Sequence, residues 1–208
     1  MYVFVNSEAI AGVLNDLMKE LSLLPQNGKN FNERYLHHYF SQHLSSNCSI
    51  VFGEEAGLHP EWSTSKHGNV TYKHDQNGGY VREHIKRGWS GFIDFVIVNS
   101  DGSLVGIEFK CGESINQKGV VFDYQKLLDK DNEFSCIFSF VVCDRRKRAD
   151  YQDAAGILKK CLNEAQIKLG DNQTNAECHL WYFEIRKDTA LRIECNDIFT
   201  GSFTQHSI

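Results

Sequence analysis

Trp89 to Lys110 reads WSGFIDFVIVNSDGSLVGIEFK, two runs rich in Val, Ile and Phe on either side of Asn99-Ser100-Asp101-Gly102. Two β-prone stretches around a Gly-containing turn are the sequence form of a hairpin. With Ser100, Asp101 and Gly102 as a three-residue loop and Gly102 in the left-handed position, Asn99 pairs with Ser103. Counting back from that pair sets Asp94 opposite Glu108. Side chains alternate along a strand, so Glu108 and Lys110 share one face while Phe109 points to the other. Three charged groups therefore converge on one face of an apolar hairpin.

Two neighbouring carboxylates repel, and burying them unpartnered costs several kcal/mol, as a rough scale. A divalent cation removes that cost. Magnesium favours one or two carboxylates plus water and substrate phosphate. Lys110 would then stand beside the ion, placed to orient a water or to neutralise charge on a reacting phosphate.

The segments Gly91-Phe92-Ile93-Asp94 and Ile107-Glu108-Phe109-Lys110 together resemble the motif of the PD-(D/E)XK nuclease superfamily, the restriction-endonuclease-like proteins. Ile93 stands where the family name has Pro. The resemblance implies an α/β fold with a mixed central sheet flanked by helices, built on an αβββαβ core. It further implies that Asp94, Glu108 and the Phe109 carbonyl hold Mg2+, with Mn2+ able to substitute, and that Lys110 positions the attacking water. DNA is the implied substrate, cleaved to leave a 5′-phosphate in a setting such as restriction or phage defence.

The flanking segments follow that order of elements. Ile10, Val13, Leu14, Leu17, Leu21 and Leu24 predict a first helix over 7–24, ended by Pro25 and Gly28. A second helix is predicted from about Phe31 to Leu44, with Leu36, Phe40 and Leu44 in one stripe. Glu33 lies on that stripe, with His37 one turn later, and two roles are open to it. It caps the helix if Asn30-Phe31-Asn32-Glu33 is a capping box. Alternatively it is the helical acid that many family members deliver to the metal, which makes it a candidate catalytic residue.

Ser49 to Phe52 reads as the first core strand. Residues 53–88 follow with little periodicity, six glycines among them and histidines at 59, 67, 74 and 84, whose spacing suggests solvated side chains. A third helix is predicted over about Gly119 to Lys130. Its Asp123-Tyr124-Gln125-Lys126-Leu127 resembles the D-x-x-(K/R)-L stretch of the family, which implies that Gln125 or Lys126 approaches the substrate phosphate. Phe134 to Cys143 has the unbroken apolar form of a strand buried on both faces. Residues 31–143 thus make the core. Residues 150–208 decorate it with an amphipathic helix, Ala154 to Leu169, and a β-hairpin turning at Lys187-Asp188.

The chain has 208 residues, 41% of them hydrophobic and 24% charged, which suits one soluble domain. No stretch reaches the length of a membrane span, and the N-terminus lacks the pattern of a signal peptide, so a cytoplasmic location is expected. Seven cysteines without a C-x-x-C pair read as reduced core thiols, although a zinc site built on Cys178-His179 is an alternative. The net charge of −5 argues against a general nucleic-acid coat. Contact with DNA is therefore assigned to local clusters: Arg82, Lys86 and Arg87, then Arg145, Arg146 and Arg148, together with Lys126. A homodimer that pools these clusters is compatible with the acidic balance. The alternative to a nuclease is a catalytically silent protein of the same fold that binds nucleic acid or another protein.

Overall fold

The hairpin closes where the turn count places it. Asn99 N–H donates to the Ser103 carbonyl at 2.9 Å, and Gly102 sits at φ +84°, a conformation that favours glycine. The strand pairs run Val98 to Leu104, Ile97 to Val105, Val96 to Gly106 and Phe95 to Ile107. Continuing that register sets Asp94 opposite Glu108.

The computed structural model describes residues 5–24, 32–48, 56–83, 87–148, 150, 152–198 and 200–207. In chain order the elements are α1 (Ser7–Leu23), α2 (Glu33–Cys48), β1 (Gly57–Ser63), the short α3 (Thr64–His67), β2 (Thr71–His74), β3 (Tyr80–Glu83), β4 (Trp89–Ser90), β5 (Phe92–Val98), β6 (Leu104–Gly112), α4 (Gln117–Leu128), β7 (Phe134–Asp144), α5 (Ala154–Leu169), β8 (Glu177–Ile185), β9 (Ala190–Asp197) and β10 (Ser202–Ser207). The fold is α/β. Its main sheet has the order β1-β5-β6-β7-β8-β9-β10 and is mixed: β6, β7 and β8 are parallel, and the other pairs are antiparallel.

Helices cover both faces. The apolar stripe of α1 (Ile10, Val13, Leu14, Leu17, Leu21) and Leu36, Phe40 and Leu44 of α2 pack on Phe95, Ile97, Ile107, Phe109, Phe138 and Phe140. On the other face α4 and α5 bury Val120, Tyr124, Leu127, Leu158, Leu162 and Ala165 against Val96, Ile137, Val141 and Tyr182. β7 therefore alternates between two cores, which explains its continuous apolar run.

Several expectations change. The strand expected at Ser49–Phe52 lies outside the described residues, and the first strand of the sheet is β1, inside the stretch that showed little periodicity. β1 is an edge strand with Pro60 opposite Phe95, so one side of it needs no ladder donors and its sequence need not alternate. The same stretch also forms a separate sheet, β3-β2-β4. This insertion lies against α4, with Tyr72 edge-on to Phe122 at 5.0 Å and Tyr80 stacked on it at 4.0 Å. Its described histidines pack on aromatic rings: His59 and His67 on Trp62, His74 on Tyr80 and Trp89. The C-terminal hairpin does form, but β8 pairs in parallel with β7, so the hairpin and β10 extend the central sheet instead of standing apart from it. Cys111, Cys136, Cys143, Cys161, Cys178 and Cys195 are free thiols. Among the described residues no helix is long and apolar enough to cross a membrane.

Candidate active site

The site grows from an interruption in the hairpin ladder. Asn99 and Ser103 form a bonded pair, and the alternation of an antiparallel ladder would make Ile93 the partner of the Phe109 N–H. The Phe109 N–H instead donates to Asp94 Oδ2 at 2.7 Å. The Asp94 carboxylate replaces a strand carbonyl, and the same oxygen stands 3.3 Å from His37 Nε2. The His37 ring is held against Phe95 at 5.2 Å and Phe109 at 5.5 Å. Burial alone would raise Asp94; His37 and the Phe109 N–H outweigh it and hold the carboxyl below its ordinary range.

The start of α2 supplies the next acid. Asn32 caps this helix, its Oδ1 accepting from Tyr35 N–H at 3.1 Å. Glu33 is then the first helical residue, two positions too early to reach back as the acid of a capping box. Asn30 lies outside the described residues. One helical turn separates Glu33 from His37, so both point along one face. A carboxylate oxygen of Glu33, a ring nitrogen of His37 and a carboxylate oxygen of Asp94 all lie within 4.8 Å of one another.

Glu108 lies on the other side, buried and in contact with Lys126 of α4. Lys126 Nζ also lies 3.1 Å from Asp123 and donates to the Phe92 carbonyl at 2.7 Å. Gly91 makes room for this lysine, because a Cβ there would stand 3.1 Å from Lys126 Cδ and 3.0 Å from the Tyr72 ring. Lys110 bridges the halves, 3.2 Å from Asp123 and 3.7 Å from Glu33. Four carboxyl groups (Glu33, Asp94, Glu108, Asp123) thus meet two lysines (Lys110, Lys126), a formal excess of two acidic groups over basic ones.

Burial first, and then the neighbouring charges, set the ionisation of the cluster. Burial, reinforced by Asp123 and Asp94, drives Glu108 well above its ordinary range against the pull of Lys126. Burial would lower both lysines, but Glu108 and Asp123 hold Lys126 up, and Asp123, Glu33 and Glu108 do the same for Lys110. The solvent side of the cluster is Glu33, His37 and Lys110, whose side chains are 39%, 24% and 25% exposed.

Compared with family models, curated proteins and solved structures, the chain matches none.

Of the expected site residues, Glu33 and Asp94 come together with His37, and Lys110 stands beside Glu33, whereas Glu108 contacts Lys126 and belongs to no group of three possible ligand atoms. His37 and Asp123 were not singled out as site residues. The four-residue spacing from Glu33 is the signal that marks His37. Gln125 is 1% exposed, which corrects its assignment to a substrate phosphate. Lys126 is likewise buried within the carboxylates instead of presented to DNA.

The basic clusters change as well. Arg145 is buried, bonded to the Glu113 and Asp150 carbonyls and 3.2 Å from the Asp150 carboxylate, so it joins loops and does not face a ligand. Arg146 is tied to Asp144 at 2.7 Å and to the Leu24 carbonyl, while Arg148 stands 3.4 Å from Glu113 and is half-exposed. Arg87 is exposed, and Lys86 lies outside the described residues.

Arg82 contacts Asp131 and lies 3.5 Å from the buried Asp129. Burial pushes Asp129 up to about 6, with Arg82 pulling the other way. A carboxyl raised in the folded state stabilises fully below its unfolded value and loses that stability as pH rises through the folded one. We therefore expect this group to cost the fold roughly 2–3 kcal/mol between about pH 4 and pH 7. Urea denaturation across that window should show the loss in the wild type and its removal in Asp129→Asn. A variant that retains the wild-type slope would assign the pH dependence to other groups.

Proposed function

We propose that the protein is a divalent-metal-dependent nuclease of the PD-(D/E)XK kind that hydrolyses DNA phosphodiesters. The formal excess of two acidic groups over basic ones in the Glu33–Asp94–Glu108–Asp123 cluster carries this reading, because a divalent cation opposes such an excess in sign and equals it in size. The order α2, β1, β5, β6, α4, β7, with three antiparallel strands and a parallel fourth, supports a restriction-endonuclease-like core interrupted by the β2–β4 insertion. The substrate class comes from the motif resemblance.

The donor set fits a cation. Glu33, His37 and Asp94 supply two carboxylates and an imidazole within 4.8 Å and are partly open to solvent. When bound, such an ion polarises a phosphoryl oxygen and lowers the pKa of a bound water. The chain's own residues do the rest. Lys110, held by Asp123 and Glu33, directs its ammonium at the open side of the cluster, where it orients water and meets charge that develops on phosphate. Lys126 fixes Glu108 and Asp123 from within, so the carboxylates keep their positions as the substrate arrives. The Phe109 N–H and His37 fix Asp94.

The test is incubation of supercoiled, linear and single-stranded DNA with the chain under Mn2+ or Mg2+, with a chelator control and Asp94→Asn alongside. Cleavage should require the metal and disappear in the variant. An imidazole donor suits transition metals better than magnesium. Mn2+ should therefore raise the melting temperature more than Mg2+ at equal concentration, and His37→Ala should erase the difference. Equal shifts in the wild type would remove His37 from the ligand set.

One observation favours a second reading. Lys126 already neutralises Glu108, an acid that the resemblance assigns to the metal, as expected of a silent member of the fold that only binds nucleic acid. DNA retention without cleavage under either metal would establish that alternative.

A further inference from the structure

β7 and β8 bring together a donor set of different chemistry. The parallel register pairs Cys136 with Glu177, and His179 follows two residues on, on the same side of the sheet. Cys136 Sγ, a Glu177 carboxylate oxygen and a His179 ring nitrogen lie within 4.8 Å of one another. His179 Nε2 is 2.8 Å from Glu177 Oε1. The imidazole lies flat on Phe138, with centroids 4.5 Å apart and planes at 11°, so its direction is set by the core. Burial is graded across the three. Cys136 is 7% exposed, and the side chains of His179 and Glu177 are 26% and 57% exposed.

An exposed His–Glu pair alone contributes little and needs no ligand. It does not account for a thiol from the neighbouring strand converging on the same point. Sulfur, imidazole and carboxylate are together the donors of zinc-type ions, and thiolate selects against magnesium. We propose that Cys136, Glu177 and His179 form a binding site for one zinc-type divalent cation, separate from the Asp94 cluster. Three protein ligands leave one coordination position open, on the solvent side where Glu177 lies. The sulfur comes from Cys136. Cys178, the cysteine adjacent to His179 in sequence, turns to the opposite core and donates to the Ala176 carbonyl at 3.1 Å.

The test uses Co2+ as a spectroscopic stand-in for Zn2+ on the metal-stripped full chain. One equivalent should produce a thiolate-to-cobalt charge-transfer band in the near ultraviolet, and Zn2+ should displace it. Cys136→Ser should abolish the band, whereas Cys178→Ser and Asp94→Asn should leave it intact. His179→Ala and Glu177→Gln should weaken Zn2+ binding by at least about 10-fold, the lower end of what losing even an outer-shell partner costs. If Cys136→Ser does not fold, judged by circular dichroism, the other two variants decide, since Glu177 and His179 lie toward solvent. No thiolate band in the wild type, a band that survives Cys136→Ser, or unchanged affinity in both His179→Ala and Glu177→Gln would overturn the site. The Asp94→Asn control keeps this result independent of whether the protein cleaves DNA.

Discussion

Lys126→Met will destabilise the fold by about 3–5 kcal/mol at neutral pH, the usual cost of removing one partner from a buried ion pair. The methionine fills nearly the same channel past Gly91 and Tyr72, so packing loss is small and the penalty is electrostatic. Glu108 loses its contact cation, Asp123 keeps only Lys110, and the Phe92 carbonyl loses a donor. Glu108 is raised already in the wild type, and losing the cation raises it further. Its protonation in the folded state then recovers stability as pH falls from the folded pKa toward the unfolded value near 4. The gap between variant and wild type should therefore narrow at acid pH. Adding Glu108→Gln to Lys126→Met should recover most of the loss, because the uncompensated charge is gone. Chemical denaturation of the four proteins of that cycle measures the coupling. A single variant within about 1 kcal/mol of wild type would mean that Lys126 does not neutralise the carboxylates.

The role of Lys126 also marks the limit of what the sequence could reveal. The hairpin register followed from local chemistry, because Gly102 and the Asn99–Ser103 turn determine it without reference to the rest of the chain. The placing of Asp94 opposite Glu108 in the register came with it. The long apolar run of β7 and the stripes of α1, α4 and α5 were legible for the same reason, since burial imposes a period on sequence. Burial of charge imposes no such period. Lys126 and Arg145 look like any other cations of a solvated face, and only the approach of β6 to α4, or of Glu113 to Asp150, shows that they are enclosed. β1 was hidden because an edge strand tolerates His59, Pro60 and Glu61. His37 lay in plain view one turn after Glu33. Its significance depends on Asp94 leaving the regular ladder, a tertiary event that no spacing announces.

Lys110→Ala should lower the rate of DNA cleavage by about 10²-fold or more while leaving the fold intact. The two halves of this expectation rest on different contacts. Asp123 retains Lys126 at 3.1 Å, and Glu33, with 39% of its side chain exposed, is solvated without Lys110, so the loss of one ammonium strands no buried charge. The melting temperature should therefore stay within a few degrees of wild type, in contrast to Lys126→Met. Cation binding by Glu33, His37 and Asp94 should persist and tighten, because a positive charge 3.7 Å from Glu33 no longer competes for it. Mn2+ titration followed by melting temperature reads that directly, without any turnover. DNA affinity should remain close to wild type, since one ammonium is a small share of the contacts to a polyanion. Slow cleavage with normal folding and tighter Mn2+ binding would identify Lys110 as the group that acts on water and phosphate. Full cleavage alongside a collapsed melting temperature would make it a structural counter-ion and leave the proposed mechanism without its lysine.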